Sequence, residues 1–123
     1  MNLLLDTHVF LWWDTSDTRL PNVLEAAIAL AENSVFVSAA SIWEISIKRA
    51  SEKLKFSGSA AGAIRAHGFS ALPISVEHAE WAGELPLFHR DPFDRLLVAQ
   101  AQIEGLTLVT VDEQILKYPV VHL

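Results

Sequence analysis

The 123-residue chain has no cysteine, which removes disulfide frameworks, thiolate-held metals and thiol nucleophiles from consideration. Any metal must be held by oxygen or imidazole. Glycine is scarce and scattered, five residues without a cluster, so neither a P-loop nor a dinucleotide-binding turn is present. No apolar run approaches the roughly 20 residues that cross a bilayer. The opening MNLLL lacks a basic n-region and is broken at Asp6, which reads as a cytoplasmic protein with no membrane association. Positive charge is also short: nine Lys and Arg against fifteen Asp and Glu, net −6. That argues against a generic nucleic-acid coat protein, but carboxylates converging on divalent cations would reverse the local sign. Ser38, Ser41 and Ser46 lack a nucleophile elbow, so acyl chemistry finds no support.

Apolar residues are plentiful, 51% of the chain with a mean hydropathy of +0.29. In so small a chain this points to an apolar patch covered by a partner or a second copy. The length suits one domain over residues 1–123. Residues 3–5 (LLL) read as a buried central strand ending at Asp6, followed by a short helix, THVFLWW. Pro21 opens a helix through Asn33 with Val23, Leu24, Ala27, Ile28, Leu30 and Ala31 at core spacing. SVFV is a second strand, and Ser38 caps AASIWEISIKRA, a helix apolar nearly all round and so expected to be well buried. FSALPI is a third strand, at a sheet edge because of Pro73. Helices VEHAEWAGEL and Pro92–Glu104, strand LTLVTV, a last helical turn and a possible edge strand VVHL complete the pattern. Alternating strands and helices predict a three-layer α/β/α sandwich with a mostly parallel central sheet of four to five strands.

In such a fold helix N-termini and strand C-termini share one rim, where ligands bind. Asp6, Glu44, Asp94 and Asp112 all map to it. Crowded carboxylates stay ionised together only around a cation, and oxygen ligands select hard ions such as Mg²⁺ or Mn²⁺. Taken singly, each acid has a plainer role: Asp6 and Asp112 as helix caps, Asp94 as an anion favoured by the helix dipole, Glu44 as the i+4 partner of Lys48. In RDPFDRLLVAQA, Asp91 before Pro92 is the natural cap. Asp94 at the third helical position is too short for a capping box and is left free to point at the rim.

His8 is a candidate for contact with a phosphate or leaving group, and Arg95 for a bidentate grip on phosphate. His67, His78, His89 and His122 show no metal-ligand spacing and read as surface or loop residues. Lys48, Arg49, Lys53 and Lys55 form the one basic cluster, placed where a helix dipole favours cations.

With these residues in place, the sequence resembles the PIN-domain ribonucleases, and among them the VapC-type toxins of type II toxin–antitoxin pairs. LLLDTHVFLWW, SIWEISIK, DPFDRLLVAQA and LVTVDEQI are similar to the family's four motifs, in order and across essentially the whole chain. One departure is SEKLKF after the second motif, where relatives often have a glycine before the Lys-Leu pair. The resemblance implies an Mg²⁺ or Mn²⁺ site of Asp6, Glu44, Asp94 and Asp112, with Thr7, His8, Thr110 and Arg95 behind those ligands or against substrate. It further implies metal-dependent endoribonuclease activity leaving 5′ phosphate and 3′ hydroxyl ends, a cognate antitoxin and a homodimer. Two other readings are a non-catalytic interaction domain on the same fold and a haloacid-dehalogenase-type phosphatase. The phosphatase needs a second acid two residues after Asp6, where this chain has His8.

Overall fold

Leu3, Leu4 and Leu5 are all fully buried, as a strand covered on both faces requires. In the computed structural model, which describes residues 1–123, they form β1 (Asn2–Leu5). The chain continues through α1 (Thr7–Asp14), α2 (Asn22–Ala29), β2 (Ser34–Ser38) and α3 (Ala39–Ala50). Then come α4 (Ala60–Ala66), β3 (Ser70–Leu72), α5 (Val76–Glu84), α6 (Pro92–Glu104) and β4 (Thr107–Val109), with a 3-10 turn at Ile115–Lys117. The four strands form one parallel sheet in the order β3-β2-β1-β4, with Leu5 beside Val37 on one side and Val109 on the other. The fold is the expected three-layer α/β/α sandwich. The possible fifth strand is a single parallel bridge, Leu108 to His122.

Alternation along the strands divides the core. Leu3, Leu5, Val35, Val37 and Val109 pack with Val9 and Phe10 of α1, Leu24 and Ile28 of α2 and Ile64 of α4. Leu4 and Leu108 face the other way, onto Leu97, Val98 and Ala101 of α6. Helix α3 belongs to both layers, since Ala40 joins the second cluster and Ile45 the first. It therefore bridges the two layers just after β2. Strand order moves outward from β1 to β3 and then returns to β4 on the opposite side of β1, so the reversal, and with it the ligand crevice, lies between β1 and β4.

Three expectations are corrected. Helix α2 ends at Ala29, and Val23, Leu30 and Ala31 are exposed, because only Leu24 and Ile28 of this short helix reach the sheet. Helix α3 is not buried all round: Trp43 is 58% and Ile47 44% exposed, while Glu44 is the buried member at 3%. Strand β4 stops at Val109, which leaves Asp112 in the loop beyond it rather than at the strand end.

The SEKLKF departure also has a structural outcome. Glu52 adopts φ 60, and the N–H groups of Glu52 and Lys53 donate to the carbonyls of Arg49 and Lys48. This is the Schellman closure that Gly68 makes after α4, with Gly68 and Phe69 donating to Arg65 and Ile64. The turn that favours glycine is kept, with a β-carbon in the left-handed region at a cost of about 1 kcal/mol.

Candidate metal centre

Asp6 leaves β1 and caps α1. Its backbone N–H donates to Val109 O at 3.0 Å, Oδ1 accepts from Val9 N at 2.8 Å, and Oδ2 accepts from the hydroxyl of Thr110. The carboxylate is 3% exposed and held from both sides of the β1–β4 crevice. Burial raises its pKa above the usual carboxylate range and Asp112 adds to the rise, while the Thr110 and Val9 hydrogen bonds and His8 oppose it. The Thr110 hydroxyl oxygen also accepts from Asp112 N at 3.0 Å, so one threonine links the acids that follow β1 and β4.

Asp91 caps α6, accepting from Phe93 N at 2.8 Å and Asp94 N at 3.1 Å, with Pro92 at the first helical position. The Asp94 carboxylate is thereby spared from capping. Its pKa is pushed up to about 7, first by burial, then by the charges of Asp91 and Glu44, with His89 opposing and Asp6 adding a smaller rise. Asp94 feels the charges of Glu44 and Asp6, as neighbouring carboxylates do. Glu44 is fixed by Lys48 Nζ, 2.7 Å from Oε2, and Lys48 stays protonated to higher pH because of that bond. The other oxygen, Oε1, is buried without any hydrogen-bond partner.

His89, read as a surface or loop residue, lies in the loop before α6 and is half-buried in the centre of this group. Its Nε2 is 2.9 Å from Asp94 Oδ2 and 3.2 Å from Asp112 Oδ2. Nδ1 accepts the Asp91 N–H at 3.3 Å, so Nε2 carries the proton that faces the two carboxylates. One atom from each of His89, Asp94 and Asp112 lies within 4.8 Å of the others, so the protonated Nε2 bridges two carboxylates close enough to share a cation. No spacing rule would have found His89. The usable signal was its position two residues before a cap whose acid, Asp94, faces the rim.

The remaining candidates divide. Thr7 donates to Ser41 Oγ at 2.9 Å and ties α1 to α3 behind the acids. His8 is exposed beside Trp12, near enough to Asp6 to be felt electrostatically. Arg95 turns away from the rim. Nη2 donates to Ala82 O at 2.7 Å, Leu85 O at 3.0 Å and Gly83 O at 3.4 Å, while Nη1 reaches Pro86 O and His89 O, each at 3.4 Å. Arg95 thus closes the C-terminus of α5 and supports the loop carrying His89, with no free fork for phosphate. Arg95→Met should lower stability by about 2–3 kcal/mol, because these carbonyls lose a charged donor. Urea denaturation at pH 7 checks this, and a loss under 1 kcal/mol would contradict it.

Two other histidines are structural. His78 is 2% exposed, completes a capping box with Ser75, and lies 2.9 Å from Glu104 through Nε2. His67 is 2.7 Å from Asp14 and packs edge-on against Phe10 and Trp13.

The arrangement suits a hard divalent cation. The donors are carboxylate oxygens, a buried oxygen of Glu44 is unpaired, and burial together with neighbouring carboxylates raises the pKa of Asp6 and of Asp94. No helix is long and apolar enough to cross a membrane.

Comparison with curated proteins finds no match. Among solved structures, VapBC2 of Rickettsia felis, bound to a DNA fragment from its promoter, has a TM-score of 0.68 at 18% identity, covering 100% of this chain and 98% of that one. A toxin–antitoxin complex of Klebsiella pneumoniae has a TM-score of 0.68 at 19% identity, covering 98% and 95%. FitAcB of Neisseria gonorrhoeae has 0.63 at 21%, again covering 98% and 95%. At these identities the likeness is one of fold. The sequence itself matches the PIN domain family model over residues 3–121, a span that includes both sides of the β1–β4 crevice and every acid in it, and the chain therefore belongs to the PIN domain family.

Proposed function

We propose that the chain is a divalent-metal-dependent endoribonuclease, the toxin of a VapC-type toxin–antitoxin pair, working in the cytoplasm as one domain over residues 1–123. The observation that carries this is the gathering of Asp6, Glu44, Asp94 and Asp112 at one crevice, with an unpaired buried oxygen on Glu44 and an Asp94 carboxyl held up to about 7 by burial and its acidic neighbours. These four acids are the proposed ligands of Mg²⁺ or Mn²⁺. When bound, the ion supplies Lewis acidity for phosphodiester hydrolysis.

The chain's own contribution is positioning. Val9 N and Thr110 fix both oxygens of Asp6. Asp91 takes the capping duty that would otherwise occupy Asp94. Lys48 anchors one oxygen of Glu44 and leaves the other for the ion. His89 spans Asp94 and Asp112 with its Nε2 proton, and its place beside the ligands suits it to steady them or to face the leaving oxygen. Ligands locked by neighbouring hydrogen bonds need no reorganisation when the ion arrives.

A toxin–antitoxin complex is among the solved structures that share this fold, which supports an antitoxin partner here. A second support is the apolar surface on α3 and around β3. Trp43 is exposed on the wall of a cavity of about 460 Å³ that Ala39, Ile42, Ala61, Ile64, Leu72 and Pro73 also line, and Ile47 of α3 and Ile74 after β3 are exposed as well. Such a surface fits burial by an antitoxin or by a second copy in a homodimer.

The purified chain with Mg²⁺ should cleave RNA to products with 5′ phosphate ends, and EDTA should stop it. RNA left intact under both Mg²⁺ and Mn²⁺ would remove the ribonuclease reading in favour of a PIN-fold interaction domain.

A further inference from the structure

A groove of about 620 Å³ opens beside the acidic centre, between α1 and the segment after α3. Thr7, adjacent to Asp6, and Lys48, bonded to Glu44, are part of its wall, so the groove adjoins two of the acids. Its charge differs from that of the rest of the chain. Arg19, Lys48, Lys53 and Lys55 line it against Asp14 and Asp17, whereas the whole chain carries −6. Both of those carboxylates already have partners, His67 at 2.7 Å and Arg19 at 2.7 Å. Lys53 and Lys55 are exposed and make no ion pair.

The loop carrying them is held at both ends. Glu52 and Lys53 close the end of α3, and Arg49 Nη1 donates to Gly58 O at 2.8 Å. Opposite the lysines is an aromatic surface: Trp12, half-buried, with the Arg19 guanidinium 5.5 Å from its ring centroid and the His8 ring at 6.0 Å.

We propose that this groove is the seat of single-stranded RNA, with backbone phosphates on Lys53 and Lys55 and a base against the Trp12–Arg19–His8 surface. This rests on the ribonuclease reading of the acidic centre and names the residues that would hold its substrate. A duplex keeps its base faces stacked inside and has nothing to offer an aromatic wall. A single strand presents phosphates and bare π-faces together, the pair that this wall matches. The cations are the local answer to an acidic chain binding a polyanion.

The test is fluorescence anisotropy of a labelled oligouridylate with the full chain in EDTA, where cleavage is silent. Lys53→Gln/Lys55→Gln should weaken binding about tenfold at low salt and reduce the slope of log affinity against log salt by about 1.4, two phosphate contacts in a single strand. Lys117→Gln, an exposed lysine outside the groove, should change neither. An abasic oligomer of equal length should bind the wild-type chain about tenfold more weakly than oligouridylate.

Unchanged oligouridylate affinity in the double variant would overturn the proposal. So would tighter binding of duplex RNA, or an equal loss for an oligoglutamate peptide of matched charge, which would make the groove a seat for an acidic protein segment. Oligouridylate binding that behaves as stated, in a chain that cleaves no RNA with Mg²⁺, would leave the groove standing and remove only the ribonuclease reading.

Discussion

Asp94→Asn is expected to make the metal-free protein more stable at pH 8 while removing its nuclease activity. The native environment holds the Asp94 carboxyl up to about 7 from an ordinary 3.8, so ionising it at pH 8 works against folding. Replacing it with a neutral amide of the same shape removes that opposition, worth up to about 4 kcal/mol if the whole displacement is recovered. Asn can still accept from His89 Nε2, so the loop contact survives in part. Activity should fall at least about a hundredfold, since even outer-shell partners of metal ligands are worth 10–100-fold. Chemical denaturation in EDTA, paired with RNA cleavage in Mg²⁺, reads both effects. A variant that is both less stable without metal and still active would show that Asp94 is a structural acid.

The same displacement predicts how pH acts on the wild-type chain. Between pH 4 and 7 the native state holds a proton on Asp94 that the unfolded chain has released, and Asp6, raised in the same direction, adds to the difference. Stability of the metal-free protein therefore falls as pH rises through this window, then levels once Asp94 is ionised in both states. A divalent ion has to displace that proton. Apparent Mn²⁺ affinity should drop about tenfold for each pH unit below 7, and the rise in Tm on adding Mn²⁺ should be small at pH 5 and large at pH 8. Calorimetric titration at three pH values measures this. An affinity that is flat from pH 5 to 8 would mean that Asp94 does not bind the ion.

Much of this site was legible in the sequence because it is encoded locally. Pro92 fixes the start of α6, so Asp91 and Asp94 separate into a cap and a free acid by position alone, and the hydrogen bonds agree. The apolar run of Leu3–Leu5 ending at Asp6 likewise states where a central strand meets its rim. Long-range features were not legible. His89 joins Asp94 and Asp112 because the loop before α6 is pinned by Arg95 to the end of α5, a contact spanning 13 residues to Ala82. Arg95 read as a phosphate ligand because its neighbour is an acid at the rim. On a helix the adjacent residue points elsewhere, here toward α5.

Helix α3 misled in a related way. Its all-round apolar surface reads as burial, yet Trp43 and Ile47 are exposed and Glu44 is inside. An exposed apolar face and a core face have the same composition, and only tertiary packing tells them apart. The basic cluster after α3 has a dipole explanation that hides its other consequence: the same lysines face Trp12 across a groove formed by a helix about 40 residues earlier.

Four acids at the β1–β4 crevice are proposed to hold the metal on which RNA hydrolysis depends. Cleavage of a single-stranded RNA by the wild-type chain, Asp6→Asn and Glu44→Gln in Mg²⁺, with folding of each verified by circular dichroism, addresses this most directly. EDTA-sensitive cleavage with 5′ phosphate products is expected from the wild type and none from either folded variant; cleavage by both variants at the wild-type rate would rule out a metal site built on these acids.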